Sequence, residues 1–184
     1  GSEMCIRDRN HGVDQLTGEK TGLDLGDLTT YKTFEALEEA YAKQIDHFSD
    51  RMVTCITQVE KMHELLLPTP FLSAVIDDCL TRGMDVTQGG ARYNFAGVQA
   101  IQIANVADSL AAIKLLVYDE KKLSAQELLH ALQTNFEDAP LVRTMLLNKV
   151  PKYGNDVPWV DELGAKWVNY FADGLRKYRN GRGG

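Results

Sequence analysis

Between Thr33 and Pro68, apolar residues recur at Phe34, Leu37, Tyr41, Ile45, Phe48, Met52, Ile56, Val59, Met62 and Leu66, spaced by three or four. A helix repeats at that interval, so the spacing predicts one long helix that starts after Thr33 as N-cap and stops before Pro68. Glu35 adds a carboxylate to its first turn. No other feature commits so much of the chain to a single element.

The remaining elements are shorter. Residues 11 to 30 hold Gly12, Gly18, Gly22 and Gly26 among Asp and Thr, the composition of an irregular, extended lead-in. Pro70 suits the first turn of a second helix, with Phe71, Ala74, Val75 and Leu80 on its inner side and Gly83 as its stop. After Gly89 and Gly90, residues 96 to 104 are mostly apolar and β-branched at Val98, Ile101 and Ile103, so a buried strand is expected there. Asn105 is the expected cap of the next helix, with Asp108 in its first turn and Leu110, Ile113, Leu116 and Val117 facing inward. A strand leading into a helix points to an α/β, helix-rich architecture.

Ser124 and Glu127 form a capping box, and Leu128, Leu129, Leu132 and Phe136 supply the face of the helix it opens. Pro140 opens a short helix through Leu146, and a loop with Gly154, Asn155 and Asp156 precedes a last helix from near Pro158. Trp159, Leu163, Trp167, Phe171 and Leu175 recur along it at helical spacing and read as a packing stripe. The chain shows no internal repeat and no low-complexity tract.

Composition narrows the function. Twenty Lys and Arg stand against 26 Asp and Glu, a formal net charge of −6 with no basic stripe, which argues against nucleic acid as a partner. No apolar run approaches the roughly 20 residues of a membrane span, so no membrane association is expected. Cys5, Cys55 and Cys79 are odd in number and lack paired metal spacing, which fits a reducing cytoplasm and suggests neither a disulfide nor a zinc site. Residues 1 to 10 lack the features of a secretory signal and read as a non-native leader.

Candidate chemistry is sparse. His11, His47, His63 and His130 are scattered, and none sits at the i, i+4 spacing of a helical zinc site. Cys55 and Cys79 fall within predicted helices among apolar neighbours, where a thiol behaves as a small buried hydrophobe. Asp77 and Asp78 are adjacent on a predicted helix, point apart and are read as solvated. The segment 89 to 94 is Gly-rich but has no phosphate-loop spacing. Tyr93, Asn94 and Gln99 are the polar residues nearest the expected strand, and polar groups at a strand end can line a ligand crevice. The alternative is that Asn94 and Gln99 satisfy backbone groups at a tight turn.

The run Gly-Gly-Ala-Arg-Tyr-Asn-Phe at 89 to 95, followed by Gly97-Val98-Gln99 and by residues 107 to 114, resembles the glycyl radical enzymes of the pyruvate formate-lyase-like family. His11-Gly12-Val13-Asp14 with Leu16-Thr17-Gly18, Thr69-Pro70-Phe71-Leu72-Ser73, Pro151-Lys152-Tyr153-Gly154-Asn155-Asp156 and Arg179-Asn180-Gly181-Arg182-Gly183-Gly184 agree in order. The form at 89 to 95 is closer to the dehydratase and C–X lyase branch, which includes glycerol, hydroxyproline, choline and isethionate enzymes.

The resemblance implies a ten-stranded α/β barrel of which residues 11–184 form part, truncated at both ends, contributing a strand and outer helices. It implies a radical lyase or dehydratase in which a glycyl radical oxidises a cysteine to a thiyl that abstracts hydrogen from a small polar substrate such as a diol, amino acid or amine. No bound cofactor is implied; the radical is installed by a separate radical S-adenosylmethionine activase, and the parent is a homodimer. The family's Gly-Cys-Val-Glu loop and its radical-glycine motif have no match here: Cys5 is followed by Ile6-Arg7-Asp8, and Gly181 to Gly184 differ from the radical loop. No catalytic residue is therefore carried over, and Tyr93, Asn94 and Gln99 are the expected substrate-lining residues. A formate C-acetyltransferase segment and a noncatalytic helical spare-part module are the alternatives. A piece cut from a closed barrel is expected to expose apolar faces, to be inactive alone and to be poorly soluble.

Overall fold

A computed structural model describes residues 10–14 and 17–184; the proposed leader, Cys5 included, lies almost wholly outside them. In order, the helices are α1 (Phe34–Leu66), α2 (Pro70–Val75), α3 (Cys79–Arg82), α4 (Ile103–Ile113), α5 (Ala125–Gln133), α6 (Pro140–Asn148) and α7 (Pro158–Leu175). Among the described residues there is no strand, and a single isolated bridge, Val13 to Lys20, is the only ladder-like pairing. The helix-rich part of the expectation holds, while the expected strand does not appear: the described architecture is helices and loops. These residues form two compact units, one running through His47 with Ala100–Phe171, the other Phe48–Gln99 with Ala172–Gly184.

The first unit is built on a hydrophobic core. Leu110, Ile113 and Leu116 from α4 and the turn after it meet Leu128 and Leu132 from α5 and Val160, Leu163 and Trp167 from α7. Leu116 and Val160 are fully buried, each contributing about 1.5–3 kcal/mol of burial. Trp167 packs edge-on against Tyr41 at 4.6 Å between ring centres, so the aromatic stripe of α7 is core packing as expected. Lys166 pairs with Glu38 at 2.6 Å, and the Tyr170 hydroxyl donates to Asp46 at 2.8 Å. The lead-in is pinned to α1 by Gln44 Nε2, which donates to the Leu23 carbonyl at 2.7 Å, and is tight within itself, since a Cβ on Gly12 would meet the Gly22 carbonyl at 2.5 Å.

Several expectations hold in detail. α1 spans 33 residues with the expected bounds, and Thr33 Oγ1 accepts from the Ala36 amide at 3.2 Å. The Ser124–Glu127 capping box closes at 3.1 and 2.8 Å. Lys152 and Asp108 anchor the 151–156 loop, Lys152 Nζ donating to the Leu146 carbonyl at 2.9 Å and Asp108 accepting from the Tyr153 amide at 2.7 Å.

Others are corrected. The stretch 96 to 102 has no regular structure, and Ile101 is exposed; a strand exists through pairing, and no described neighbour offers its edge. α4 begins at Ile103 after Gln102, whose φ of 64° sets the entry, so Asn105 lies inside the helix and Asp108 past its first turn. α4 then widens into a π turn at Lys114–Asp119, closed by the Glu120 amide on the Leu115 carbonyl at 2.8 Å, and Val117 is half-buried there. The second helix is broken in two, because Asp78 takes a left-handed φ of 75° between α2 and α3. Its expected inner residues Phe71, Ala74, Val75 and Leu80 are exposed, and Ser73 and Cys79 are buried instead.

Candidate functional site

In the second unit the polar side chains gather around two glycine-rich loops, residues 89–95 and 179–184. Asp85 holds the first from below. Its Oδ1 accepts from the Thr87 amide at 2.9 Å and Thr87 Oγ1 at 2.7 Å, and its Oδ2 accepts from the Thr69 amide at 2.9 Å and Ser73 Oγ at 2.8 Å. Hydrogen bonds from Thr87 first, then from Ser73 and the Thr69 amide, hold its carboxyl well below the usual carboxylate range. The Gln88 side chain closes the reciprocal bond onto the Asp85 amide at 3.1 Å, completing a capping box for the turn Val86–Gln88.

Above that turn, Gly89 has φ 90° and Gly90 lies where a Cβ would stand 2.2 Å from the Met84 carbonyl, so both positions require glycine. Asn94 turns its side chain back into the loop, Nδ2 donating to the Ala91 carbonyl at 2.8 Å and the Gly89 carbonyl at 3.2 Å. Arg82 reaches the same Ala91 carbonyl at 3.0 Å. Arg92 forks onto Asp78 with two contacts of 3.2 Å, which lowers the Asp78 carboxyl and raises the guanidinium. Asp78 is therefore paired and off any helix, where a solvated helical residue was expected. Tyr93 and Phe95 are exposed and stack on each other with ring centres 6.2 Å apart.

The second loop folds on Asn180. Its Oδ1 accepts from the Gly184 amide at 2.7 Å and the Arg182 amide at 3.1 Å, and its Nδ2 donates to the Asn94 carbonyl. Arg182 pairs with Glu60 of α1 at 2.7 Å, with side chains only 24% and 11% exposed. A cavity of about 330 Å³ opens beside the two loops, walled by Val53, Ile56, Phe95, Val98, Leu175 and Asn180.

Of the three residues expected to line a crevice, Tyr93 and Asn94 share the first loop, and Gln99 is exposed farther along the chain. Asn94 does what the tight-turn alternative foresaw. This cavity is walled by Phe95, Ala96 and Val98 rather than by the three of them. Cys79 is buried and Cys55 is exposed, against the expectation that both are buried. His11 meets Asp24 at 3.0 Å and His130 meets Asp138 at 2.7 Å, both within the first unit, and the described residues contain no group of three metal-type ligands. Asp85, Asn180 and the Arg182–Glu60 pair escaped sequence reasoning. Asp85 with Gln88 had a local signal, the capping-box spacing. Asn180 had the glycine-rich run that follows it as a local turn signal, but its bond to the Asn94 carbonyl, 86 positions away, had none.

The fold of this chain is similar to that of solved glycyl radical enzymes. The chain matches a glycyl radical enzyme from Archaeoglobus fulgidus with a TM-score of 0.84 and 33% identity, covering 96% of this chain and 22% of that one. It matches the glycerol-bound form of the B12-independent glycerol dehydratase from Clostridium butyricum with a TM-score of 0.87 and 33% identity, over 99% of this chain and 22% of that one. In sequence it is 37% identical over 162 residues to trans-4-hydroxy-L-proline dehydratase of Clostridioides difficile, 88% of this chain and 20% of the relative. The model of the pyruvate formate lyase-like family matches residues 9–184, and the chain belongs to that family. It spans about a fifth of the length of the relatives it matches. No helix among the described residues is long and apolar enough to cross a membrane.

Proposed function

We propose that residues 11–184 serve as one section of a glycyl radical dehydratase or C–X lyase acting on a small polar molecule such as a diol, an amino acid or an amine. The observation that carries this reading is the match over nearly the whole chain to proteins named as dehydratases. Hydrogen abstraction by a thiyl radical belongs to residues outside this section, since neither Cys5 nor Gly181 to Gly184 fits the family's motifs. The radical S-adenosylmethionine activase, the homodimer and a cytoplasmic location are part of the same proposal, as is inactivity of the 184-residue chain alone.

What this section contributes is shape. A carbon-centred radical reacts with any hydrogen donor that reaches it, so a pocket that hosts one must exclude side reactions and hold its walls still. A loop closed by Asp85 and Asn180 meets that demand, and Tyr93, Asn94 and Gln99 are proposed to shape the substrate side of the pocket, Tyr93 and Gln99 by facing it and Asn94 by fixing the loop that presents Tyr93.

Anaerobic activation of the intact polypeptide carrying this segment, followed by incubation with a 1,2-diol, 4-hydroxyproline, a quaternary amine and a hydroxysulfonate, tests the reading by product analysis. Loss of water or another leaving group from one of them is expected. Acetyl-CoA from pyruvate and CoA would reassign the reaction to formate C-acetyltransferase, and no turnover of any of them would leave the noncatalytic module.

A further inference from the structure

We infer that Asn180 is a positioning residue for the loop 89–95, and that the Arg182–Glu60 pair anchors it, an inference that deepens the reading above and rests on it for its catalytic consequence. Asn180 faces two amides with one end of its carboxamide and a carbonyl with the other, so all its strong bonds require the same orientation. The two amides belong to its own loop, and the carbonyl belongs to Asn94 of the other. Asn180 is thus the side chain that converts the fold of one glycine loop into the position of the next.

The steric fit agrees. A Cβ on Gly184 would stand 2.3 Å from the Asn94 carbonyl, and one on Gly89 would stand 3.1 Å from the Arg182 carbonyl, so the two loops touch backbone to backbone. The Asn180 amide also donates to the Gly184 carbonyl at 3.0 Å, which closes the second loop on itself. Arg182 carries the connection onward to Glu60 on the 33-residue helix α1 through a largely enclosed ion pair. Loop 89–95 therefore takes its height from α1 by way of Glu60, Arg182, Asn180 and Asn94.

Asn180→Asp isolates the inference, because a carboxylate still accepts from both amides but cannot donate to the Asn94 carbonyl. Hydrogen exchange on the intact polypeptide is expected to show about tenfold faster exchange across residues 89–99, with residues 180–184 changed less and residues 123–133 unchanged. Unchanged exchange over 89–99 would overturn the inference and leave Asn180 a cap of its own loop. Should that variant fail to fold, Gly184→Ala keeps every polar group and forces the loops apart, and it carries the same expectation and the same contradiction. In the activated enzyme, Asn180→Asp is expected to raise KM with radical content per protomer unchanged; an unmoved KM with loosened exchange would remove the catalytic consequence. If the wild-type polypeptide turned over nothing, the function would fail, and the exchange result would still decide the positioning role.

Discussion

The two units of this chain are held together by different physics. In the first, sixteen buried residues from α1, α4, α5, α7 and their connections form one apolar cluster, and few large hydrophobic side chains are left exposed. In the second, the buried positions are chiefly Ser49, Ser73, Cys79, Gly90 and Ala91, and twelve of the sixteen exposed large hydrophobics of the described residues lie there, Phe71, Tyr93 and Phe95 among them. One unit is closed by burial, the other by hydrogen bonds to backbone. A hydrogen bond nets about 1 kcal/mol and acts over one geometry, whereas an apolar core adds over many contacts, so the second unit is organised without being strongly stabilised by its own interior. Exposed apolar surface on this scale marks a face built to be covered, which agrees with the proposal that this section belongs inside a larger enzyme.

The contrast breaks most readily at Trp167. Trp167→Ala should cost about 3–5 kcal/mol, read as loss of melting temperature and faster exchange throughout the first unit. Gly90→Ala places a methyl against the Met84 carbonyl and should cost about 1–3 kcal/mol, confined to exchange in residues 84–99. If that substitution instead loosened the first unit equally, the division would be wrong.

Asp85→Asn sharpens the comparison through pH. The folded carboxyl is depressed below its ordinary 3.8, so it contributes stability above that value and loses it as pH falls through the folded value. The wild-type second unit should loosen in that acid window ahead of the first. Asp85→Asn should be weaker at neutral pH and flatter below pH 3.8, monitored by exchange against pH. The smallest effect is expected from Phe71→Ser, within about 0.5 kcal/mol, since the ring makes little contact to lose; its readout is higher solubility of the isolated chain.

What could be read in the sequence follows the same division. The periodicity from Phe34 to Leu66 gave the bounds of α1, and Ser124 with Glu127 gave the start of α5, because both signals are local and repeat within one or two turns. Apolar character at 96 to 104 suggested a strand, yet a strand is a relation between segments, and Val98 and Ile101 carry no information about whether a partner is beside them. Phe71, Val75 and Leu80 were expected inside for the same reason: hydrophobicity says that a face is to be buried, and not what buries it. In the candidate site, Asn94 was legible as a turn residue beside two glycines. Its link to Asn180 was not, since a bond between residues 86 positions apart leaves no mark in either neighbourhood.

If this section works within a glycyl radical enzyme, as proposed, electron paramagnetic resonance of the intact polypeptide after anaerobic activation will detect the radical itself. The expected result is an organic-radical signal split by a glycine α-hydrogen, with the splitting lost when the protein is grown on Cα-deuterated glycine and the signal destroyed by air. An activated protein with no such signal, or with a signal indifferent to glycine deuteration, would contradict it.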